Sequence, residues 1–184
     1  MRIFDTELEG IKVLEPAIFR DSRGYFLETF HVTKYHEAGL HHDFVQDNFS
    51  ISRKDTLRGL HLQNPNQQGK LVMVLSGAVL DVAVDVRVGS PTFGRHVSVV
   101  LDDQTHRQLW IPRGFAHGFL VLSEEARVLY KCDALYARES EMGIRWNDPD
   151  INIDWAVEHP LLSEKDAAAA FLIDLTDRLP RYKD

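Results

Sequence analysis

Cysteine occurs once in this 184-residue chain, as Cys132, so no internal disulfide framework can form and a reducing compartment is expected. The opening stretch MRIFDTELEG lacks the apolar run of a signal peptide, and no segment reaches the length of a membrane span. The expected setting is the cytoplasm, without a membrane partner. Positive charge is also short: 21 Lys and Arg face 28 Asp and Glu, for a formal charge of -7. Attraction of the whole molecule to a polyphosphate therefore has the wrong sign, which argues against nucleic acid as a partner. A few focused Arg and Lys side chains can still hold a small diphosphate. Neither a GxGxxG nor a GxxxxGK loop is present, and no βαβ rhythm appears, so Rossmann and P-loop nucleotide sites are unsupported. Internal repeats are absent, and the one biased stretch is the alanine run 167–170, read most simply as helix.

What the chain does have is alternation. Hydrophobic residues make up 44% and charged residues 27%, which suits one globular domain spanning 1–184. In AVLDVAVDVR (78–87), Leu80, Val82, Val84 and Val86 share one face while Asp81, Asp85 and Arg87 share the other, as in a strand with one apolar side. LVMVL joins it through Ser76-Gly77, so 71–87 reads as a hairpin. Further strands are expected at 11–14, 25–30, 44–52, 95–101, 108–111, 115–122 and 126–132, separated by turns such as DSRG, VGSPTFG and LDDQ. Helix signals are few: VTKYHEAG (32–39), closed by Gly39, and SEKDAAAAFL (163–172), capped by Ser163. Many short strands point to a closed all-β sandwich or barrel with a few short helices. The tail RLPRYKD is expected to lie on the surface.

Polar groups set in strand-like surroundings are the candidates for chemistry. Arg58, His61 and Lys70 flank one such piece, RGLHLQNPNQQGK; His117 sits between aromatics in GFAHGF, and Tyr130 in the apolar VLYKC. Inward positions of different strands meet in a small barrel, so these groups can converge. A hydrogen-bonded core role is the plainer account of any single one. Metal binding fits poorly despite nine histidines: the string is His61-Leu62-Gln63 instead of HxH, Lys70 opposes a dication, and His41 and His42 point to opposite faces of a strand. Proton transfer at carbon needs a base near neutral pKa, an acid on the opposite side, and a cation for the enolate oxygen. His61, Tyr130 and Lys70 or Arg58 have the right types. Asp166 is either a carboxylate behind the imidazole or an early helix acid after Ser163.

Ten strings, in order, resemble the dTDP-4-dehydrorhamnose 3,5-epimerase family: DSRGYFLE, QDNFS, LRGLHLQ, QGKLV, DVAVDVR, GSPTFG, LWIPRGFAHGFLVLS, LYKC, WNDP and LLSEKDA, between residues 21 and 167. The resemblance implies a cupin-like jelly roll and a homodimer with N-terminal strands exchanged. It implies a metal-free, cofactor-free epimerase of a dTDP-linked 4-keto-6-deoxyhexose, feeding dTDP-L-rhamnose synthesis. In its terms His61 is the general base, Asp166 its carboxylate, Tyr130 the general acid and Lys70 the cation at the ketone oxygen. Arg23, Glu28, Gln46, Asp47, Asn48, Arg58, His117, Glu141 and Lys165 contact the nucleotide sugar, and Tyr136 stacks on thymine. The sequence departs from the pattern at Leu62, where an aromatic is expected, and in the loop NPNQQGK. Relatives that invert C3 alone or C5 alone share these motifs. Two readings from other classes stand beside it: a metal-dependent cupin enzyme, and a non-catalytic sugar-nucleotide module that would need Arg23, Arg58 and Tyr136 but not His61, Tyr130 and Asp166 together.

Overall fold

A computed structural model describes residues 1–182. Thirteen strands run in the order β1 Arg2–Asp5, β2 Lys12–Glu15, β3 Ile18–Asp21, β4 Gly24–Leu27, β5 Gln46–Arg53, β6 Leu57–Gln63, β7 Lys70–Ser76, β8 Ala78–Asp85, β9 His96–Asp102, β10 Gln108–Ile111, β11 Phe115–Val121, β12 Glu125–Cys132 and β13 Glu141–Gly143. Two short helices, α1 Val32–Glu37 and α2 Glu164–Ala167, and 3-10 turns at Arg138–Ser140 and Leu172–Arg178 complete the elements among the described residues. One antiparallel sheet has the order β1-β2-β10-β7-β12-β5 and the other β13-β6-β11-β8-β9, with β3-β4 a separate hairpin. This is a cupin-like jelly roll, as the family resemblance implied, and it falls within the all-β sandwich or barrel class that the pattern of short strands suggested.

The sheets face each other across a core of Val72, Val74, Val79, Ala83, Leu109, Phe115, Phe119 and Val128, contributed by five strands at alternate positions. The same alternation sends a second set outward. Leu60, Leu62, Val82, Val84 and Leu120 leave the five-stranded sheet on its far side, where Trp155, Leu172, Leu175 and Leu179 of the C-terminal segment cover them. A third cluster, Tyr35, Leu40, Leu71 and Trp110 with Phe30 and Phe44, packs the α1 segment on the six-stranded sheet.

Four expectations change. Ser76-Gly77 joins β7 of one sheet to β8 of the other, so 71–87 is a crossover between layers and not a hairpin. Gly77 is required there: its φ is +84°, and an added Cβ would lie 2.2 Å from the Glu125 carbonyl oxygen. The acidic face of β8 is inside the barrel, with Asp81 and Asp85 fully buried, while its valine face meets the C-terminal segment. The alanine run leaves the helix after Ala167, and Ala170 instead bridges Ile144 of the β13 end; tertiary pairing overrides alanine's propensity. Leu179 and Pro180 of the tail are buried, not superficial, and Lys183 and Asp184 lie outside the described residues.

Candidate active site

At one end of the barrel the inward positions change from apolar to polar. Lys70 continues the inward rank of Val72 and Val74 on β7, Tyr130 and Cys132 that of Val128 on β12, and His117 lies between Phe115 and Phe119 on β11. Lys70 therefore stands on the sheet facing His61, and the two flank no common strand. On β6, Arg58 and His61 are an odd number of residues apart and alternation would separate them. An irregularity in the β6–β11 ladder, where His61 opposes His117 and Arg58 opposes Phe119, turns both to the same side. Gly59 permits it: its φ is +119°, and an added Cβ would lie 2.6 Å from the Gly118 Cα.

The cleft, of about 240 Å³, is lined by Gln46, Asn48, His61, Gln63, Lys70, Tyr130, Tyr136 and Glu141 among others. A second hollow of about 320 Å³, with Arg58, Ser163, Lys165 and Asp166 in its wall, also reaches His61. Asp166 is buried and receives the His61 Nε2–H at 2.6 Å. Both accounts of Asp166 hold at once, because its backbone N–H donates to the Ser163 hydroxyl in the first turn of α2. Burial opposes the charge on Asp166, but hydrogen bonds from His61 and Ser163, the imidazole's charge and the Gly59 N–H outweigh it and hold the carboxyl below its usual range. A fixed carboxylate orients the ring and stabilises its protonated form, which leaves the other ring nitrogen to act as base.

Burial pushes the Tyr130 phenol up, so it stays protonated near neutral pH and able to donate. Burial pulls Lys70 down, partly offset by Cys132, Asp81 and Glu141, and burial pushes the Cys132 thiol up. At the cleft mouth, the Tyr136 hydroxyl donates to Glu141 Oε2 at 2.8 Å, and the Lys165 ammonium pairs with the same carboxylate. Against the opposing effect of burial, those two bonds and the nearby charges of Lys165 and His61 hold Glu141 low. The Gln46 side-chain oxygen accepts from the Tyr136 backbone N–H at 2.8 Å, which seats the aromatic ring.

The remaining expected residues lie elsewhere. Asp47 points away from Gln46 and Asn48 on β5 and pairs with Lys131 at 2.8 Å. His117 is behind the cleft, buried and bonded through Nε2 to Asp81 Oδ1 at 2.8 Å. Arg23 and Glu28 are outside the cleft with the exposed β3-β4 hairpin, paired with Asp21 and Lys34 respectively. Gln63 and Gln68, absent from the expected set, line the cleft; Gln63 also accepts from the Ala137 N–H and so holds the loop bearing Tyr136. Their amides give no chemical signal in sequence; only adjacency to LRGLHL and GK marks them. Among the described residues, no group of three or more His, Cys, Asp or Glu side chains is arranged to hold a metal ion, and no helix is long and apolar enough to cross a membrane.

A family model described as dTDP-4-dehydrorhamnose 3,5-epimerase matches residues 5–174. A curated relative of that name from Shigella flexneri is 50% identical over 176 residues, covering 95% of this chain and 97% of its own. The crystal structure of a dTDP-6-deoxy-D-glucose-3,5-epimerase from Legionella pneumophila, in complex with dTDP-4-keto-L-rhamnose, is similar with a TM-score of 0.96 at 51% identity, covering 100% of this chain and 99% of that one. ChmJ, a 3'-monoepimerase from Streptomyces bikiniensis in complex with dTDP-quinovose, is similar at 36% identity and a TM-score of 0.90, covering 97% and 92% of the two chains. With a jelly roll whose polar end gathers His61, Asp166, Lys70 and Tyr130, and with relatives matched along nearly its whole length, the chain belongs to the dTDP-4-dehydrorhamnose 3,5-epimerase family.

Proposed function

We propose that this protein converts dTDP-4-dehydro-6-deoxy-D-glucose to dTDP-4-dehydro-L-rhamnose by inverting C3 and C5, a step of dTDP-L-rhamnose biosynthesis. The observation that carries this reading is one cleft in which an imidazole backed by a carboxylate, on one sheet, faces a phenol and a buried ammonium on the other. The C4 ketone acidifies the hydrogens at C3 and C5. His61 takes one of them, the C–H electron pair passes to the ketone oxygen as an enolate, and Lys70 stabilises that oxygen. Tyr130 then delivers its O–H proton to the opposite face of the carbon, completing the inversion. His61 releases its proton and Tyr130 regains one before the second centre reacts. Carbon neither gains nor loses electrons overall, so the chemistry requires no redox cofactor, and Lys70 supplies the electrophilic role a metal would otherwise fill.

Gln46, Asn48, Arg58, Glu141 and Lys165 would hold the nucleotide sugar directly, with Tyr136 stacking on thymine. Asp47 and His117 would act at one remove, through Lys131 and from behind the cleft. Arg23 and Glu28 join this set in a homodimer with N-terminal strands exchanged. Support for that assembly comes from the β3-β4 hairpin, which leaves Phe19 63% and Phe26 69% exposed beside Arg23. We read 1–184 as one catalytic domain acting in the cytoplasm on this dTDP sugar, with no nucleic-acid or membrane partner.

Proton NMR of the protein with dTDP-4-keto-6-deoxyglucose in D₂O, with reductive trapping of the product, tests the reading. Deuterium at both carbons and a rhamnose-configured product support it. Exchange at one carbon alone assigns a single-centre epimerase of another deoxysugar route, the activity named for ChmJ. Binding without exchange points to a sugar-nucleotide module.

A further inference from the structure

Asp81 has no place in the proton-transfer scheme, yet it is one of the two carboxylates buried completely on β8 inside the barrel. Its Oδ1 accepts from His117 Nε2 at 2.8 Å, while Oδ2 is buried with no hydrogen-bond partner among the described residues. Asp85, two residues on, differs: Arg87, Ser90 and Thr92 satisfy it. A carboxylate with one bare oxygen in a closed interior is costly unless a cation shares that interior. Lys70 is such a cation, 9% exposed, and among the described residues no carboxylate lies within ion-pair distance of its ammonium.

Groups from four elements bear on Lys70. Cys132 on β12 is its across-strand neighbour, but burial keeps that sulfur a thiol near neutral pH. Glu141 on β13 is engaged by Lys165 and Tyr136. His117 on β11 is held toward its neutral form chiefly by burial. Asp81 on β8 is therefore the one nearby carboxylate with no cation bonded to it. We infer that Asp81 is a positioning residue for the reaction: across the barrel interior it is the counter-charge that keeps Lys70 an ammonium, the form the enolate oxygen needs. His117 fixes the direction of the Asp81 carboxylate and so ties the two.

The relevance to catalysis rests on the epimerase reading; the electrostatic coupling does not, and the experiment separates them. In protein labelled with ¹³C at lysine Cε, the Lys70 resonance is assigned by its loss in Lys70→Met and titrated by NMR. Lys70 in the native protein is expected to be charged at pH 7.5, and in Asp81→Asn its midpoint should fall by about one unit, the shift typical of losing a nearby opposite charge. The alkaline limb of kcat/KM should move with it. Because the coupling depends on the carboxylate's charge, Asp81→Ser should lower the Lys70 midpoint by a similar amount, read at the same ¹³C-labelled Cε. That second titration decides the matter if Asp81→Asn does not fold. A neutral Lys70 at pH 7.5, or midpoints unmoved by the substitution, overturns the inference whether or not the protein turns over. Moved midpoints in a protein without epimerase activity uphold the coupling and reject only the reaction.

Discussion

Replacing Asp166 with Asn isolates what a single buried charge contributes behind the base. The side chains are nearly isosteric, and the amide oxygen can still accept the His61 N–H that now reaches Asp166 at 2.6 Å, so the ring stays seated. The loss is the charge that stabilises the imidazolium formed when His61 takes a carbon-bound proton. A hydrogen bond involving an ionised partner is worth roughly 1.5–3 kcal/mol, against about 1 for a neutral one. At 1.36 kcal/mol per factor of ten, losing the difference of about 0.5–2 kcal/mol slows the step by roughly 2 to 30-fold. The substrate is bound before that charge develops, so kcat should carry the loss and KM should change little. Deuterium wash-in at C3 and C5, followed together by NMR, should slow in parallel because one base serves both centres. A variant as fast as the parent, or one that loses exchange at a single carbon, would refute the reasoning.

Other substitutions probe separate elements. Tyr130→Phe removes the acid and leaves the base, so deuterium exchange should persist with retention while inverted product falls by about 10²–10⁴-fold; equal loss of exchange and inversion would contradict the assignment. Asp85 is held below its usual range because hydrogen bonds from Arg87, Ser90 and Thr92 outweigh the opposing cost of burial. Its contribution to stability is present above an unfolded value of about 3.9 and is lost as pH falls through the lower folded value. Asp85→Asn should cost about 3 kcal/mol at pH 7, since Arg87 loses its buried partner, and that cost should shrink below pH 4 in calorimetry; an unchanged Tm would count against it. Phe26→Asp on the exposed hairpin should shift light-scattering mass toward the monomer and reduce kcat/KM, whereas a monomeric parent protein would dispose of the strand-exchanged dimer.

The parts of the fold that were legible in sequence are those where alternation and burial agree. The strand at 108–111 was placed as it occurs, and 115–122 and 126–132 fell within a residue of β11 and β12, because each has one decisively apolar face. The strands β1, β3 and β13 were not placed, since each is short and shows little alternation; β1 and β3 pair with the next strand in the chain, and β13 with the distant β6. β8 misled for a more instructive reason. An alternating strand usually shows its polar side to water, but here that side is buried in the barrel interior and the outer side is roofed by the C-terminal segment. The site followed similar logic. His61, Lys70 and Tyr130 stood out as polar groups in apolar runs, whereas Asp81 reads only as part of the polar face of its strand. No spacing rule announces that Arg58 and His61 share a side, because the extra residue at Gly59 resets the alternation.

One turn of helix bears on how such an enzyme can change. In α2, Lys165 reaches the ion pair with Glu141 at the cleft mouth while its neighbour Asp166 holds His61, and the Ser163 hydroxyl caps the turn. Recognition and reactivity are thus neighbours on a rigid tether. A mutation that re-aims Lys165 toward a different nucleoside diphosphate drags the carboxylate with it and detunes the imidazole. Shifts in nucleotide preference would therefore cost turnover unless compensated outside 163–167, and the loop carrying Tyr136, anchored by Gln46 and Gln63, is free of that bond. Divergence in this scaffold has its more open route there, where the aromatic meets the groups around His61 and Lys70 only through its bond to Glu141.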